Sequence, residues 1–154
     1  MRKITYLKGD ATSPNQVGNK IIAHICNDIG GWGKGFVMAI SKKWKTPEKS
    51  YRQWFSEKQN FDLGEIQLIQ VEADVFVANM IAQHGINTSE KPIRYDAVEK
   101  CLAKLASEAN VLNASVHMPR IGCGLAGGKW EFIEPLIVKT LLANNIDVFI
   151  YDFE

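Results

Sequence analysis

The segment at residues 118–130, MPRIGCGLAGGKW, constrains the fold of this chain more than any other. It places Gly122, Gly124, Gly127 and Gly128 between a short apolar run and a helix-like run. Because glycine has no Cβ, backbone N–H groups can converge on a ligand there, and the start of a helix adds positive partial charge. Convergent amides of this kind suit phosphate oxygens. The segment therefore predicts a phosphate-binding turn between a strand and a helix.

Apolar periodicity along the chain predicts six strands and four helices. The predicted strands are residues 4–7, 21–25, 66–71, 75–80, 114–118 and 148–151, and the predicted helices are 35–44, 47–59, 95–110 and 130–143. Residues 72–75 are expected to form a tight hairpin turn, and residues 86–96 a loop. Pro47 and Pro135 fit their helices if each lies in about the first turn. This order predicts a three-layer α/β/α fold, with a mixed and mostly six-stranded sheet covered on both faces.

Length and composition indicate one globular domain spanning residues 1–154. The formal net charge is +1 without a run of like charges, so we expect neither general nucleic-acid binding nor membrane-surface binding. The N-terminal residues lack the apolar core of a signal peptide, and no stretch is apolar enough to span a membrane. Three cysteines without C-x-x-C spacing fit a reducing cytoplasm and predict neither disulfides nor a metal site.

A second glycine-rich segment, NDIGGWGKG at residues 27–35, follows the strand at residues 21–25. It is not a P-loop, because Phe36 and Val37 stand where Lys and Ser or Thr are required. A plain flexible turn is the alternative explanation of the glycines. Trp32, which we expect to be exposed between them, favours a loop that contacts a ligand.

The turn at residues 118–130 also contains a formal G-x-G-x-x-G pattern. Only one predicted strand follows its helix, which is too little for the two halves of a dinucleotide-binding Rossmann fold. We therefore interpret this segment as a phosphate-binding turn and exclude a nicotinamide-dependent dehydrogenase.

Three side chains near the strand ends are candidates for chemistry. Asp10 either caps its own turn or accepts a hydrogen bond from an exocyclic amine such as that of adenine. His24 and Cys26 share one face of a strand, which makes a Cys–His nucleophile pair conceivable. Core packing is the more ordinary explanation for Cys26. His24, at the carboxyl end of its strand beside a glycine loop, is the better candidate.

Taken together, these segments resemble the macro domain, the ADP-ribose-binding fold, over essentially the whole chain. The matching segments are KGD at residues 8–10, HICNDIGGWGKGFVMAI at residues 24–40 and MPRIGCGLAGGKW at residues 118–130. Within the family, I-G-C-G-L with a nearby Trp is typical of the branch that holds the terminal ADP-ribose glutamate hydrolase and the DNA ADP-ribosyl glycohydrolase antitoxin. The first loop also resembles the yeast-type ADP-ribose 1''-phosphate phosphatase.

The resemblance implies ADP-ribose, or a substrate carrying it, as the ligand, and no cofactor. By position, Asp10 would bind the adenine amine with the Ala11 amide nearby, and Asn27 would face the distal ribose. Two sets of loop residues would contact the remainder of the ligand: Gly31, Trp32, Gly33 and Gly35 along the distal ribose, and Gly122, Cys123, Gly124 and Leu125 at the diphosphate. ADP-ribosylated protein and ADP-ribosylated DNA are both possible substrates.

Two positions depart from the branch that the chain resembles. Its glycohydrolases have a catalytic Lys where this chain has Gln83, and its glutamate hydrolase has an Asp where Ala126 stands. Gln83 cannot form a covalent Lys–ribose intermediate. Three hypotheses follow. The chain hydrolyses an ADP-ribose derivative at C1'', with His24 as acid, base or nucleophile and Asn27 positioning the substrate. Alternatively it is a non-catalytic ADP-ribose reader, or a Cys–His hydrolase that uses Cys26 or Cys123.

Overall fold

The computed structural model describes residues 2–87 and 91–153. Within them lie six strands and four α-helices, each at a predicted place and with ends shifted by a few residues. The strands are β1 (Thr5–Lys8), β2 (Lys20–Asn27), β3 (Ile66–Glu72), β4 (Val75–Gln83), β5 (Ser115–Met118) and β6 (Val148–Asp152). The helices are α1 (Phe36–Lys43), α2 (Thr46–Glu57), α3 (Tyr95–Leu112) and α4 (Trp130–Thr140), and a short 3-10 helix follows at Leu142–Asn144.

The strands form one mixed sheet in the order β1-β6-β5-β2-β4-β3. All neighbouring pairs are parallel except β3 and β4, which form the predicted antiparallel hairpin. The carboxyl ends of β2, β4 and β5 therefore meet at one edge of the sheet, where α/β folds bind ligands. Both glycine-rich segments leave the sheet at this edge, one after β2 and the other after β5.

Side-chain alternation along β2 divides the core into two layers. Ile21 and Ala23 pack with α3 and α4, whereas Ile22 and Cys26 pack with α1 and α2. Helices thus cover both faces of the sheet, and the three-layer α/β/α prediction is confirmed. Cys101 is buried in α3, as expected of the apolar face of that helix.

The two helical prolines behave differently. Pro47 is the second residue of α2, where a missing N–H costs no hydrogen bond. Pro135 is the sixth residue of α4 and lies beyond the first turn, within which the prediction from sequence required it to be. Its ring nitrogen cannot donate to the carbonyl of Glu131, and α4 tolerates this loss while burying Ile133 and Ile137 on its other side.

The loop predicted at residues 86–96 connects β4 to α3, and its residues 88–90 lie outside the described part of the chain. Gln83 of β4 pairs with Ile93 in an isolated bridge, which ties the end of this loop to the sheet. Across the described residues, no helix is both long enough and apolar enough to cross a membrane.

Candidate functional site

A cavity of about 700 Å³ opens where β2, β4 and β5 end. Its wall comes mainly from the two glycine-rich segments, which we call the first loop (residues 27–35) and the second loop (residues 119–129). Nine of the twelve predicted site residues line it: His24, Asn27, Gly31, Trp32, Gly33, Gly35, Gly122, Gly124 and Leu125. The other three, Asp10, Ala11 and Cys123, lie outside its wall.

Asn27 organises the first loop. Its Oδ1 accepts hydrogen bonds from the amides of Ile29 (3.0 Å) and Gly31 (2.9 Å). The Tyr51 hydroxyl shares its proton between the Asn27 carbonyl (2.6 Å) and Oδ1 (2.8 Å). Asn27 Nδ2 donates to the Gly31 carbonyl (2.9 Å), which leaves one N–H for a ligand. A Cβ on Gly31 would stand 3.0 Å from that Nδ2, so the glycine lets the loop close around the Asn27 side chain. The sequence indicated that Asn27 faces the cavity, but it did not reveal this internal role.

Trp32 is buried, and the expectation of an exposed indole is wrong. Only 5% of its surface is exposed, and its Nε1 donates to the Ser41 hydroxyl (2.7 Å). Its ring meets His24 edge-on at 5.3 Å between centroids and lies 5.5 Å from the Tyr51 ring. The large apolar ring fills space between β2 and the helices α1 and α2. Burial of this ring stabilises the folded protein, and an exposed indole would not. Trp32 still contributes to the cavity wall.

His24 is held as a neutral imidazole. Its Nε2 lies 2.5 Å from Asn79 Oδ1, while Asn79 Nδ2 donates to the carbonyl of Pro47 and to Gln67 Oε1, both at 3.1 Å. This pattern makes Oδ1 the acceptor and assigns the proton to Nε2. Nδ1 then carries a lone pair that is buried and has no hydrogen-bond partner among the described residues. Burial lowers the pKa of His24 to about 4, against a smaller opposing effect of the Asn79 bond.

The cysteines lack the features of an activated nucleophile. Cys26 Sγ lies 3.9 Å from His24 Nε2, but Asn79 already occupies that nitrogen, and burial raises the pKa of the Cys26 thiol. Burial also raises the pKa of Cys123, although Arg120 opposes the shift. A thiol with a raised pKa supplies little thiolate at neutral pH. This geometry argues against the Cys–His hydrolase hypothesis.

Close backbone packing shapes the second loop. The Gly128 amide donates to the Gly122 carbonyl (2.7 Å), and a Cβ on Gly128 would stand 2.5 Å from that oxygen. Gly122 has a φ of 74°, and a Cβ there would lie 2.7 Å from Ile93 Cδ1. Side chains at these positions would force the turn apart, which explains the glycines on steric grounds.

Gly128→Ala is therefore expected to destabilise the folded protein by about 2–3 kcal/mol, because backbone must move to relieve the contact. Denaturant unfolding measures the change. Gly33→Ala is the matched control, since a Cβ on Gly33 meets nothing within 4 Å, and we expect it to cost less than about 1 kcal/mol. Equal losses in the two variants would contradict the steric explanation.

The amides of the second loop fall into two groups. The Cys123 amide donates to the Arg120 carbonyl (3.3 Å) within the turn. In residues 2–87 and 91–153, no acceptor is bonded to the amides of Gly124, Leu125 or Ala126. These three donors are free for oxygen atoms of a ligand, and all three residues line the cavity. These amides lie slightly later in the loop than the diphosphate contacts that the resemblance implied, and anion binding by this loop stays a prediction.

Asp10 occupies the capping role that the sequence left open. Its Oδ1 accepts from the amide (2.8 Å) and the hydroxyl (2.7 Å) of Thr12, and the Gly9 amide donates to the Asp152 carbonyl (3.0 Å). The two bonds from Thr12 close the turn after β1, and the bond from Gly9 holds the turn against β6. Ala11 is buried within this turn. Contact of Asp10 or Ala11 with adenine stays a prediction.

The comparisons with known proteins agree with this architecture. No protein-family model matches the chain. A solved structure of a macrodomain protein from Streptomyces coelicolor is 51% identical, covers 97% of this chain and 99% of its own, and superimposes with a TM-score of 0.89. The chain belongs to the macrodomain family. The fold described above is therefore that of a macrodomain.

Curated relatives of this macrodomain have more than one name. Mouse "Chromodomain-helicase-DNA-binding protein 1-like" is 32% identical over 97% of this chain, but the match spans only 18% of that protein's length. An "ADP-ribose 1''-phosphate phosphatase" from Candida albicans is 29% identical over 85% of this chain and 89% of its own length.

The two positions that depart from the glycohydrolase branch both line the cavity of this macrodomain. Gln83 Nε2 donates to the Gly85 carbonyl (2.9 Å), which holds the side chain at the end of β4. Ala126 is 5% exposed and brings only a methyl group to the wall. Neither position supplies an amine or a carboxylate for catalysis.

The charged side chains among the described lining residues are all cationic. Lys34, Arg52 and Arg120 line the cavity, and among the described lining residues none carries a carboxylate. Arg120 pairs through Nε and Nη2 with the two carboxylate oxygens of Asp152 (2.6 and 3.0 Å). Sequence reasoning missed both arginines. Arg120 lies within the second loop and could have been noticed, whereas Arg52 is in α2 and comes near the first loop only through folding.

Proposed function

We propose that this macrodomain binds ADP-ribose in the cavity and hydrolyses a bond at C1'' of an ADP-ribose derivative. One observation carries the proposal: the cavity joins two glycine-rich loops and combines free amides with cationic side chains in a wall whose described residues lack carboxylates. A diphosphate needs donors and positive charge, and both are available there. The relative named as an ADP-ribose 1''-phosphate phosphatase supports the choice of ligand.

In the proposed complex, the diphosphate lies along the amides of Gly124, Leu125 and Ala126. The adenine lies toward the turn at Asp10, and the distal ribose lies toward Asn27, whose remaining Nδ2 hydrogen can donate to a ribose oxygen. The cavity volume of about 700 Å³ is in the usual range for a small-molecule site. C1'' then lies between the two loops.

The chemistry that fits this wall uses water as the nucleophile. No described lining residue offers a carboxylate, and the raised thiol pKa of Cys26 leaves little thiolate, so we assign the attack to water. Attack by water on a 1''-phosphate would release ADP-ribose and inorganic phosphate, and attack at C1'' would cleave a glycosidic or ester linkage. Loop amides would stabilise negative charge that develops on phosphate oxygens.

His24 is the side chain proposed to take part in proton transfer. Its Nε2 is bonded to Asn79, so the lone pair on Nδ1 is the group that can accept a proton. Nδ1 is buried from solvent in this conformation. Contact with substrate therefore requires movement of neighbouring groups such as Trp32. With a pKa of about 4, the imidazole can accept a proton but carries almost none to donate at pH 7.

We expect His24→Gln to lower turnover by about 100-fold while ADP-ribose affinity changes by less than about threefold. Glutamine can still donate to Asn79, but it cannot take up a proton. His117→Gln is the matched control, because His117 is equally buried but lies outside the cavity wall. Turnover should be unaffected by that change. Unchanged turnover in His24→Gln would remove His24 from the mechanism.

Calorimetry with ADP-ribose tests the binding half of the proposal. Turnover assays on three substrates test the catalytic half: ADP-ribose 1''-phosphate, ADP-ribosylated protein and ADP-ribosylated DNA. Failure to bind ADP-ribose at millimolar concentration would overturn the whole proposal. The substrate that is cleaved identifies the linkage.

A non-catalytic reader is the second candidate function. The observation that favours it is the pair Gln83 and Ala126, which leaves the cavity wall without the Lys and Asp of the branch that the chain resembles. A reader needs the same loops, so the geometry of the cradle does not separate the two functions. Tight binding of ADP-ribose without turnover of any of the three substrates would establish the reader.

A further inference from the structure

The cationic side chains of the wall lie on two sides of the cavity. Arg120 follows β5 and pairs with Asp152 of β6, whereas Arg52 extends from α2 to the first loop after β2. In the sheet, β5 separates β2 from β6, so the two guanidinium groups lie at different parts of the cavity wall. A ligand whose only anionic group is a central diphosphate gives Arg52 no evident partner.

Arg52 is held in place with donors to spare. Its Nη1 donates to the Gly30 carbonyl (3.1 Å), its Nη2 to the Trp32 carbonyl (3.4 Å) and its Nε to Glu48 Oε2 (2.9 Å). A guanidinium has five N–H groups, so two remain for a ligand. The side chain is 51% exposed and lines the cavity, which makes those two hydrogens accessible.

Glu48 neutralises only part of this charge. Its Oε1 accepts from the Ser41 hydroxyl (3.2 Å), which in turn accepts from Trp32 Nε1 (2.7 Å). The bonds run from Trp32 through Ser41 and Glu48 to Arg52 and back to the Trp32 carbonyl. This ring fixes the direction of the guanidinium, and a fixed guanidinium loses less entropy when it binds an anion.

We propose that Arg52 is a specificity-determining residue, which recognises an anionic substituent on the distal ribose and so favours a phosphomonoester at C1'' over free ADP-ribose or a neutral linkage. The inference rests on the proposed function, because it takes the diphosphate to lie on the second loop and the distal ribose near Asn27. Arg52 contacts the first loop three and five residues beyond Asn27, which is the loop that the distal ribose contacts in the proposed complex. A planar guanidinium matches phosphate oxygens, and no carboxylate among the described lining residues repels them.

Calorimetry with two ligands tests the proposal: ADP-ribose, and the methylene phosphonate analogue of ADP-ribose 1''-phosphate, which resists hydrolysis. We expect the wild-type protein to bind the phosphonate about tenfold more tightly than ADP-ribose, as one charge-assisted contact would produce. Arg52→Gln should abolish that preference, because the affinity for the phosphonate should fall about tenfold further than the affinity for ADP-ribose. Arg52→Lys should retain part of it, because the charge remains without the planar fork.

Two further variants on α2 complete the design. Glu48→Gln removes the partial neutralisation of Arg52, and the preference for the phosphonate should rise. Lys49→Gln removes a positive charge from the same helix at a residue outside the cavity wall, and both affinities should stay unchanged. Because Glu48→Gln leaves Arg52 intact, it tests the inference even if Arg52→Gln disturbs folding.

The outcomes separate this inference from the proposed function. If the wild-type protein binds neither ligand, the proposed function fails. If ADP-ribose binds but the phosphonate binds no more tightly, the proposed function stands and the role of Arg52 is overturned. Equal weakening of both ligands in Arg52→Gln, with no change of preference in Glu48→Gln, would mean that Arg52 only supports the first loop, which also overturns the inference.

Discussion

Acidification from pH 7 to pH 4 is expected to remove on the order of 5 kcal/mol of the free energy of unfolding, because two buried histidines resist protonation in the folded protein. Burial lowers the pKa of His24 to about 4 and that of His117 to about 3, and Lys20 contributes to the second shift. Domains are commonly stable by only 5–15 kcal/mol, so the folded state should be close to its limit at pH 4.

The sign follows from where each state takes up protons. At about one pH unit or more above 6.5, both histidines are essentially neutral in the folded and the unfolded chain, and stability is not reduced by their burial as neutral groups. As pH falls below 6.5, the histidines of the unfolded chain bind protons and those of the folded chain do not. The free energy of unfolding therefore decreases until the pH reaches the folded-state pKa. Asp74 and Asp152, whose carboxyl pKa values are lowered by Lys20 and Arg120, contribute mainly at lower pH.

Urea unfolding at a series of pH values between 7.5 and 4.5 measures this effect. Each histidine should contribute a slope of about 1.4 kcal/mol per pH unit in the steep part of the window. His117→Gln and His24→Gln should each remove one such contribution, although both also change the stability at pH 7. A slope that is the same in both variants as in the wild-type protein would contradict the assignment.

The fold could be predicted from the sequence because its signals are local. Apolar runs in the strands and amphipathic runs in α3 and α4 each lie within a short stretch of chain, and the glycines mark where strands end. The hairpin of β3 and β4 was predicted from the same kind of evidence, a short polar turn between two apolar runs. Pro135 shows where local signals fail. The rule that a helical proline lies in the first turn does not hold for it, because the packing of α4 tolerates the proline further along.

The sequence predicts the loops of the candidate site, but it does not predict the contacts between residues that are far apart in the chain. Asn27 and Gly122 carry local signals, whereas the bond between His24 and Asn79 depends on the register of two parallel strands 55 residues apart. Trp32 is buried because α2 packs over the first loop, and Arg52 enters the wall for the same reason. A reading of residues 27–35 alone contains no information about that helix.

The first loop is expected to lose its ligand-binding form when Asn27 is replaced by alanine. Asn27→Ala removes the acceptor for the amides of Ile29 and Gly31, and unpaired donors cost about 1–3 kcal/mol each where water cannot replace the partner. The Tyr51 hydroxyl keeps its bond to the backbone carbonyl of residue 27. We expect a loss of about 2–4 kcal/mol in stability and of at least about 100-fold in ADP-ribose affinity, since the ligand must then order the loop.

Two companion variants distinguish loop organisation from direct contact. Tyr51→Phe removes one donor to Asn27 and leaves its side chain in place, so ADP-ribose affinity should fall by less than about tenfold. Asn27→Asp keeps the acceptor oxygen for both loop amides, so the unfolding temperature should stay nearer the wild-type value than in Asn27→Ala. A carboxylate in this cationic wall repels a diphosphate, however, and calorimetry should still show weak binding. If Asn27→Ala instead bound ADP-ribose within about tenfold of the wild-type protein, the loop would hold its form without Asn27, and the role assigned to its Oδ1 would be wrong.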